Sequence, residues 1–180
     1  MSLLVLKTIS IGGLYALLVV YEESFKKKYF GSFILFIAIA HGLIIFFLHK
    51  LKEERMSFLR NLPLKSRTKL RMLLNTGCFL FLPELVTMFQ LDSNVISFLD
   101  TLMFYSLLIS QFILYFVLLY SDTFSFRKYV RYLFVILATL WVLSLFIGFW
   151  ALIPFCLGLS YLIYREHYLE YEHFGAGDKI

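Results

Sequence analysis

Charged residues are scarce in this chain: they make up 16% of its 180 residues, against 61% hydrophobic, and the mean hydropathy is +0.81. Soluble domains carry about 25% charged and about 45–50% apolar residues, so the shortfall excludes a water-soluble globular protein. Cysteine is nearly absent too. Cys78 and Cys156 both fall inside apolar runs without metal-ligand spacing, so they read as packing residues and no metal site is expected. Walker A, HExxH and GxSxG signatures are missing, which leaves no catalytic residue and no cofactor site to name. ATP hydrolysis is therefore not expected of this chain. GxxxG is absent as well, which excludes that helix-dimer motif, and there is neither an internal repeat nor a low-complexity segment.

What the chain does have is long apolar runs. About 20 residues in a helix cross a hydrocarbon core of about 30 Å. Residues 3–21 form a first run, interrupted by Lys7. No small-x-small cleavage site follows it and little positive charge precedes it, so a retained helix is expected rather than a signal peptide. Lys7 lies near its start, from where an ammonium can snorkel toward headgroups. Residues 29–48, 73–91 (with Pro83 and Glu84) and 95–120 (with Asp100 and Gln111) are three more runs. From 132 to 164 the chain is uncharged and too long for one span, and Gly148 and Pro154 place a hairpin near 147–154. The expectation is an all-α polytopic membrane protein of six transmembrane helices, with residues 1–180 forming a single transmembrane domain.

Cations set the expected orientation. Apart from Lys7 and the triplet Lys26–Lys28, every Lys and Arg lies in loop 50–72, loop 121–131 or the tail after Tyr164. Six spans put these segments on one side, so both termini are expected in the cytoplasm and only the triplet is discordant. Anionic headgroups and positive inner loops account for the net charge of +5, and no nucleic-acid partner is implied. The setting is integral to a membrane, taken as the bacterial inner (plasma) membrane.

Loop 50–72 is the only long polar interval between runs, yet it embeds Met56, Phe58, Leu59, Leu62, Leu64 and Leu70. Leu62 precedes Pro63 and is biased away from the helical region, so a helix leaving the second span should stop there. Ser66 can cap a new helix into the third span. Arg67, Lys69 and Arg71 then oppose the dipole at that start, so contact with lipid phosphates or an acidic protein surface explains them better. The apolar residues near the bend would face a partner or the headgroup boundary.

The segment from Glu53 and Glu54 through Phe58, Leu59, Leu62, Pro63, Leu64, Ser66 and Arg67 resembles the loop between the second and third spans of ABC-2-type transporter permeases. Lys65 departs from that pattern, standing where the family has Ser or Thr directly after the apolar residue. The six-span plan is similar as well. The resemblance implies a coupling helix that docks on a separate ABC ATPase subunit, and a second permease subunit, identical or related, as partner. It implies movement of an amphipathic, lipidic or peptide substrate, in the outward direction. Two other classes compete. A small membrane accessory or immunity protein would lack any link to an ATPase. An intramembrane enzyme of the Glu-Glu protease type would need an Arg at fixed spacing and further His residues in spans, whereas here position 58 is Phe and only His41 lies within a run.

The intramembrane polar residues are His41, Glu84, Asp100 and Gln111. His41 and Glu84 each fall roughly 16 Å along their spans at about 1.5 Å per residue, near a common midplane. A carboxylate there costs about 2.5–3.5 kcal/mol on insertion scales, so it should be partnered or neutral. One reading has Glu84 protonated or reaching outward, with Asp100 as another candidate partner. The sharper one is a His41–Glu84 hydrogen bond that joins spans two and three and relays loop motion. Pro83 should kink its helix and free the Phe79 carbonyl.

Overall fold

Apolar surroundings leave backbone amides no partner outside their own segment, and the runs take the helical solution. A computed structural model describes residues 3–20, 26–55, 66–90, 97–119 and 125–177, and all the regular structure among them is helix. The helices are α1 (Leu3–Val20), α2 (Lys26–Arg55), α3 (Ser66–Leu80), α4 (Leu82–Gln90), α5 (Phe98–Leu118) and α6 (Phe126–Gly177). Tyr29–Phe47, Phe98–Leu118 and Phe126–Glu166 are each long and apolar enough to cross a membrane. A fourth such segment is the bent pair Arg71–Leu80 and Leu82–Gln90, while Leu4–Ala16 in α1 is apolar but shorter.

α5 is the axis. It is buried on nearly all sides, through Met103, Phe104, Leu107, Leu108, Phe112, Leu114, Tyr115 and Leu118, and it packs against α2, α3, α4 and α6. α1 lies outside this core, on α2 and α4. Gly13 gives α1 its close approach, for a Cβ there would run into the Phe33 ring.

α6 is two helices in one. Gly148 interrupts it with φ 76°, a left-handed conformation that glycine adopts without steric cost. On an unbroken helix Tyr129 and Cys156 would stand about 40 Å apart at about 1.5 Å per residue. Both instead sit against one stretch of α5. The Tyr129 hydroxyl lies 3.4 Å from the Tyr115 carbonyl, and the Cys156 thiol is paired with Ser110. The second half turns at Phe149, whose ring is 5.8 Å from Phe104, and runs back along the first. Each half buries a narrow stripe, Tyr129, Leu133, Leu137 and Leu140 in one and Leu152, Cys156 and Ser160 in the other, and leaves Phe134, Trp141, Phe146, Trp150 and Tyr161 exposed.

Neighbouring contacts give the directions. Phe30 meets Phe104 and His49 meets Phe116, so α2 and α5 run parallel. Trp141 bonds Ser32 while Phe126 meets Phe46, so the first half of α6 runs against α2. Phe89 meets Phe98, which sets α4 against α5, and Tyr15 bonds Gln90, which sets α1 alongside α4. Successive segments therefore alternate in direction. One end of the bundle collects Lys50, Arg71, Arg127, Lys128, Arg131 and Arg165, all exposed.

Two expectations about loops change. Residues 121–131 are not all connection: the helix starts at Phe126 and its buried stripe at Tyr129, so Arg127, Lys128 and Arg131 lie on its first turns. Lys26–Lys28 likewise form the first turn of α2. In the basic loop, α2 continues to Arg55, and Ser66 and Arg67 open α3. Phe58, Leu59, Leu62, Pro63 and Leu64 lie outside the described residues.

Candidate functional site: a buried ion pair at a broken helix

α3 ends at Leu80 and α4 starts at Leu82, with a 45° bend between them. Pro83 explains the restart. It has no N–H to give the Phe79 carbonyl, but it is tolerated in a first turn, where that donor is not needed. Glu84 follows in the same first turn, where the helix dipole favours a negative charge. The chain stays continuous through Phe81, whose N–H bonds the Gly77 carbonyl at 3.1 Å and whose carbonyl accepts from Leu85 at 3.0 Å.

Glu84 is fully buried and its partner is Lys7. The Lys7 ammonium lies 2.7 Å from Oε1 and 2.6 Å from Oε2, and it also donates to the Leu80 carbonyl at the break. Three donors meet three acceptors, and the Phe81 ring lies 5.2 Å from Nζ as a further cation contact. Lys7 therefore does not snorkel outward. With its side chain only 15% exposed, it is turned into the bundle.

His41 stands on the other side of the carboxylate. Its Nε2 is 3.6 Å from Glu84 Oε1, beyond hydrogen-bonding distance, so the expected His41–Glu84 bond is absent. The ring is held from behind, with Nδ1 2.8 Å from the Ile37 carbonyl. A carbonyl can only accept, so Nδ1 carries the hydrogen and Nε2 of the neutral ring is a bare lone pair. Nε2 has no hydrogen-bond partner among the described residues. Phe81 packs on the imidazole at 4.8 Å and on Phe112 at 5.9 Å, closing the site toward α5. His41 lies about 5 Å from the middle of the apolar segment Tyr29–Phe47, at about 1.5 Å per residue.

The other polar residues lie elsewhere. Asp100 is in the first turn of α5, where Ser97 caps it: the Ser97 Oγ accepts from the Asp100 N–H at 3.1 Å and donates to Oδ2 at 2.9 Å. Asp100 is thus a helix-start residue and not a partner of Glu84. Gln111 is fully buried in α5, and neither end of its amide has a partner among the described residues. Sequence reasoning missed Lys7 as a site residue. A charge balance would have found it, since Lys7 is the one Lys or Arg inside any apolar run and Glu84 the acid deepest in one.

Chemically the site is a charge-neutral trio of ammonium, carboxylate and imidazole at a helix break. Among the described residues no group of His, Cys, Asp and Glu is arranged to hold a metal ion. The chain matches no protein-family model, no curated protein and no solved structure.

Proposed function

We propose that the chain is the membrane subunit of an ABC-2-type transporter, a permease that works with a separate ATPase subunit. In this reading six segments cross the bilayer: α1, α2, the bent α3–α4 pair, α5 and the two halves of α6. Both termini and the connection between α2 and α3 then lie in the cytoplasm. The observation that carries the reading is the gathering of exposed cations at one end of an alternating bundle, the end at which residues 56–65 join α2 to α3. Positive charge there fits the cytoplasmic side.

Phe58, Leu59, Leu62, Pro63, Leu64, Ser66 and Arg67 would dock on the ATPase. A push on that segment passes into α2, which carries His41, and into α3, which ends at the break before Glu84. A second permease subunit, homo- or heterodimeric, completes the assembly, and the substrate is amphipathic, lipidic or peptide in class, moved outward across a bacterial inner membrane. Co-expression with the ABC ATPase subunits of the same cell tests this. Wild type should retain an ATPase through detergent purification, and Leu62→Asp and Phe58→Asp should lose it while inserting at equal yield. Equal retention by both variants, or none by wild type, ends the reading.

A further inference from the structure

We propose that Glu84 is a shared counter-ion: it holds Lys7 in the state seen here, and a protonated His41 when α1 withdraws. The site then binds one proton in exchange for the ammonium.

The geometry asks for a hydrogen between two atoms that lack one. His41 Nε2 and Glu84 Oε1 face each other at 3.6 Å, both acceptors, and Nε2 is fully buried without a partner among the described residues. A proton on Nε2 would turn this opposition into a charge-assisted bond, whose N–O distance is about 2.7–2.9 Å, less than 1 Å closer than now. Charge decides when that happens. With Lys7 in place the site sums to zero, and a second cation beside it would be buried without a counter-charge. With Lys7 gone, Glu84 would be the uncompensated charge, and a proton on His41 restores the zero sum. Each state needs one cation, and two residues from different helices can supply it.

α1 packs at the edge of the core and carries Lys7, so it is the element whose displacement would empty the cation position. Lys7 and an exposed Tyr15–Gln90 bond of 3.3 Å tie it to α3 and α4, and among the described residues it packs on α2 and α4 and not on α5 or α6. Of the other titratable groups near His41, two hydroxyls are engaged by backbone. Tyr105 on α5 donates to the Cys78 carbonyl of α3 at 3.0 Å, and Tyr129 on α6 donates to the Gly42 carbonyl at 3.0 Å. Tyr115 on α5 packs on Gly42, its buried hydroxyl without a hydrogen-bond partner among the described residues, and Cys78 on α3 is a half-buried free thiol. In the exchange a hydronium from the solvent gives its proton to the Nε2 lone pair and leaves as water, and the ammonium departs still charged. The inference is independent of any ATPase partner.

Nitrogen NMR of histidine-labelled full-length protein in lipid nanodiscs tests it, with the His41 signals identified by their loss in His41→Gln. At pH 7 wild type should show the two well-separated nitrogen resonances of a neutral Nδ1–H ring. Lys7→Gln should show the near-coincident pair of an imidazolium at the same pH, Lys7→Arg the neutral ring, and Lys7→Gln with Glu84→Gln the neutral ring again. Gly13→Leu provides a second route, because it leaves every charge in place and puts a bulky side chain where the Phe33 ring now lies against α1; where it unseats α1 it too should give the imidazolium. A neutral ring in both Lys7→Gln and Gly13→Leu, persisting down to pH 5, overturns the proposal. So does an imidazolium that survives loss of the Glu84 carboxylate.

Discussion

The two sides of α5 solve burial differently. On the α1–α4 side a charged pair sits at a broken helix, and each member is tolerable only because the other is there. On the α6 side the buried polar groups are neutral, and several lean on backbone. Tyr129 donates to the Gly42 carbonyl, Ser110 to Leu107 and Ser160 to Cys156. Aromatic contacts such as Phe46–Tyr129 at 5.3 Å fill the space between. Where hydrocarbon surrounds the helices, close packing and not water exclusion holds such an interface. The α6 side should therefore fail gradually when altered, and the α1–α4 side abruptly.

The largest effect should come from separating the pair. Glu84→Ala leaves the Lys7 ammonium buried and uncompensated, which costs about 3–5 kcal/mol. The double variant Lys7→Met with Glu84→Met should recover most of that loss, because no charge then remains to be compensated. Thermal unfolding in detergent, run as a double-mutant cycle, checks it; additive losses would mean that the two residues act separately. Tyr129→Phe, across the axis, removes one neutral hydrogen bond and should cost about 0.5–1.5 kcal/mol by the same measurement. Gln111→Leu should be the mildest. Its amide is already without partners among the described residues, so an apolar side chain of similar size should leave stability unchanged or raise it. A loss above about 2 kcal/mol would reveal a polar partner of the desolvation-penalty size.

Periodicity and breakers carried much of the architecture into the sequence. Run lengths gave the helices, Pro83 the bend and Gly148 the place where α6 reverses, because each depends only on local backbone chemistry. Ser97 and Asp100 stand at the spacing of a helix cap, a local signal that would have removed Asp100 from the list of candidate ion partners. The Lys7–Glu84 pair was not legible in the same way. A lysine near the start of an apolar run can turn out to headgroups or in to a carboxylate, and the choice depends on how α1 seats on α2. That seating is set by Gly13 against Phe33, a contact between helices that no spacing rule encodes. His41 and Glu84 were visible as misfits, but their separation of 3.6 Å was not, since it follows from Lys7 drawing both carboxylate oxygens to itself.

Sequence distance gives the ion pair a history as well as an energy. Lys7 and Glu84 are 77 residues apart, and Lys7 leaves the ribosome first. At about 5–20 residues per second of translation, Lys7 waits roughly 4–15 s before its carboxylate has been made. Throughout that interval the first helix carries an ammonium with no mate, so its final seat against α4 belongs to the later stages of the protein's birth.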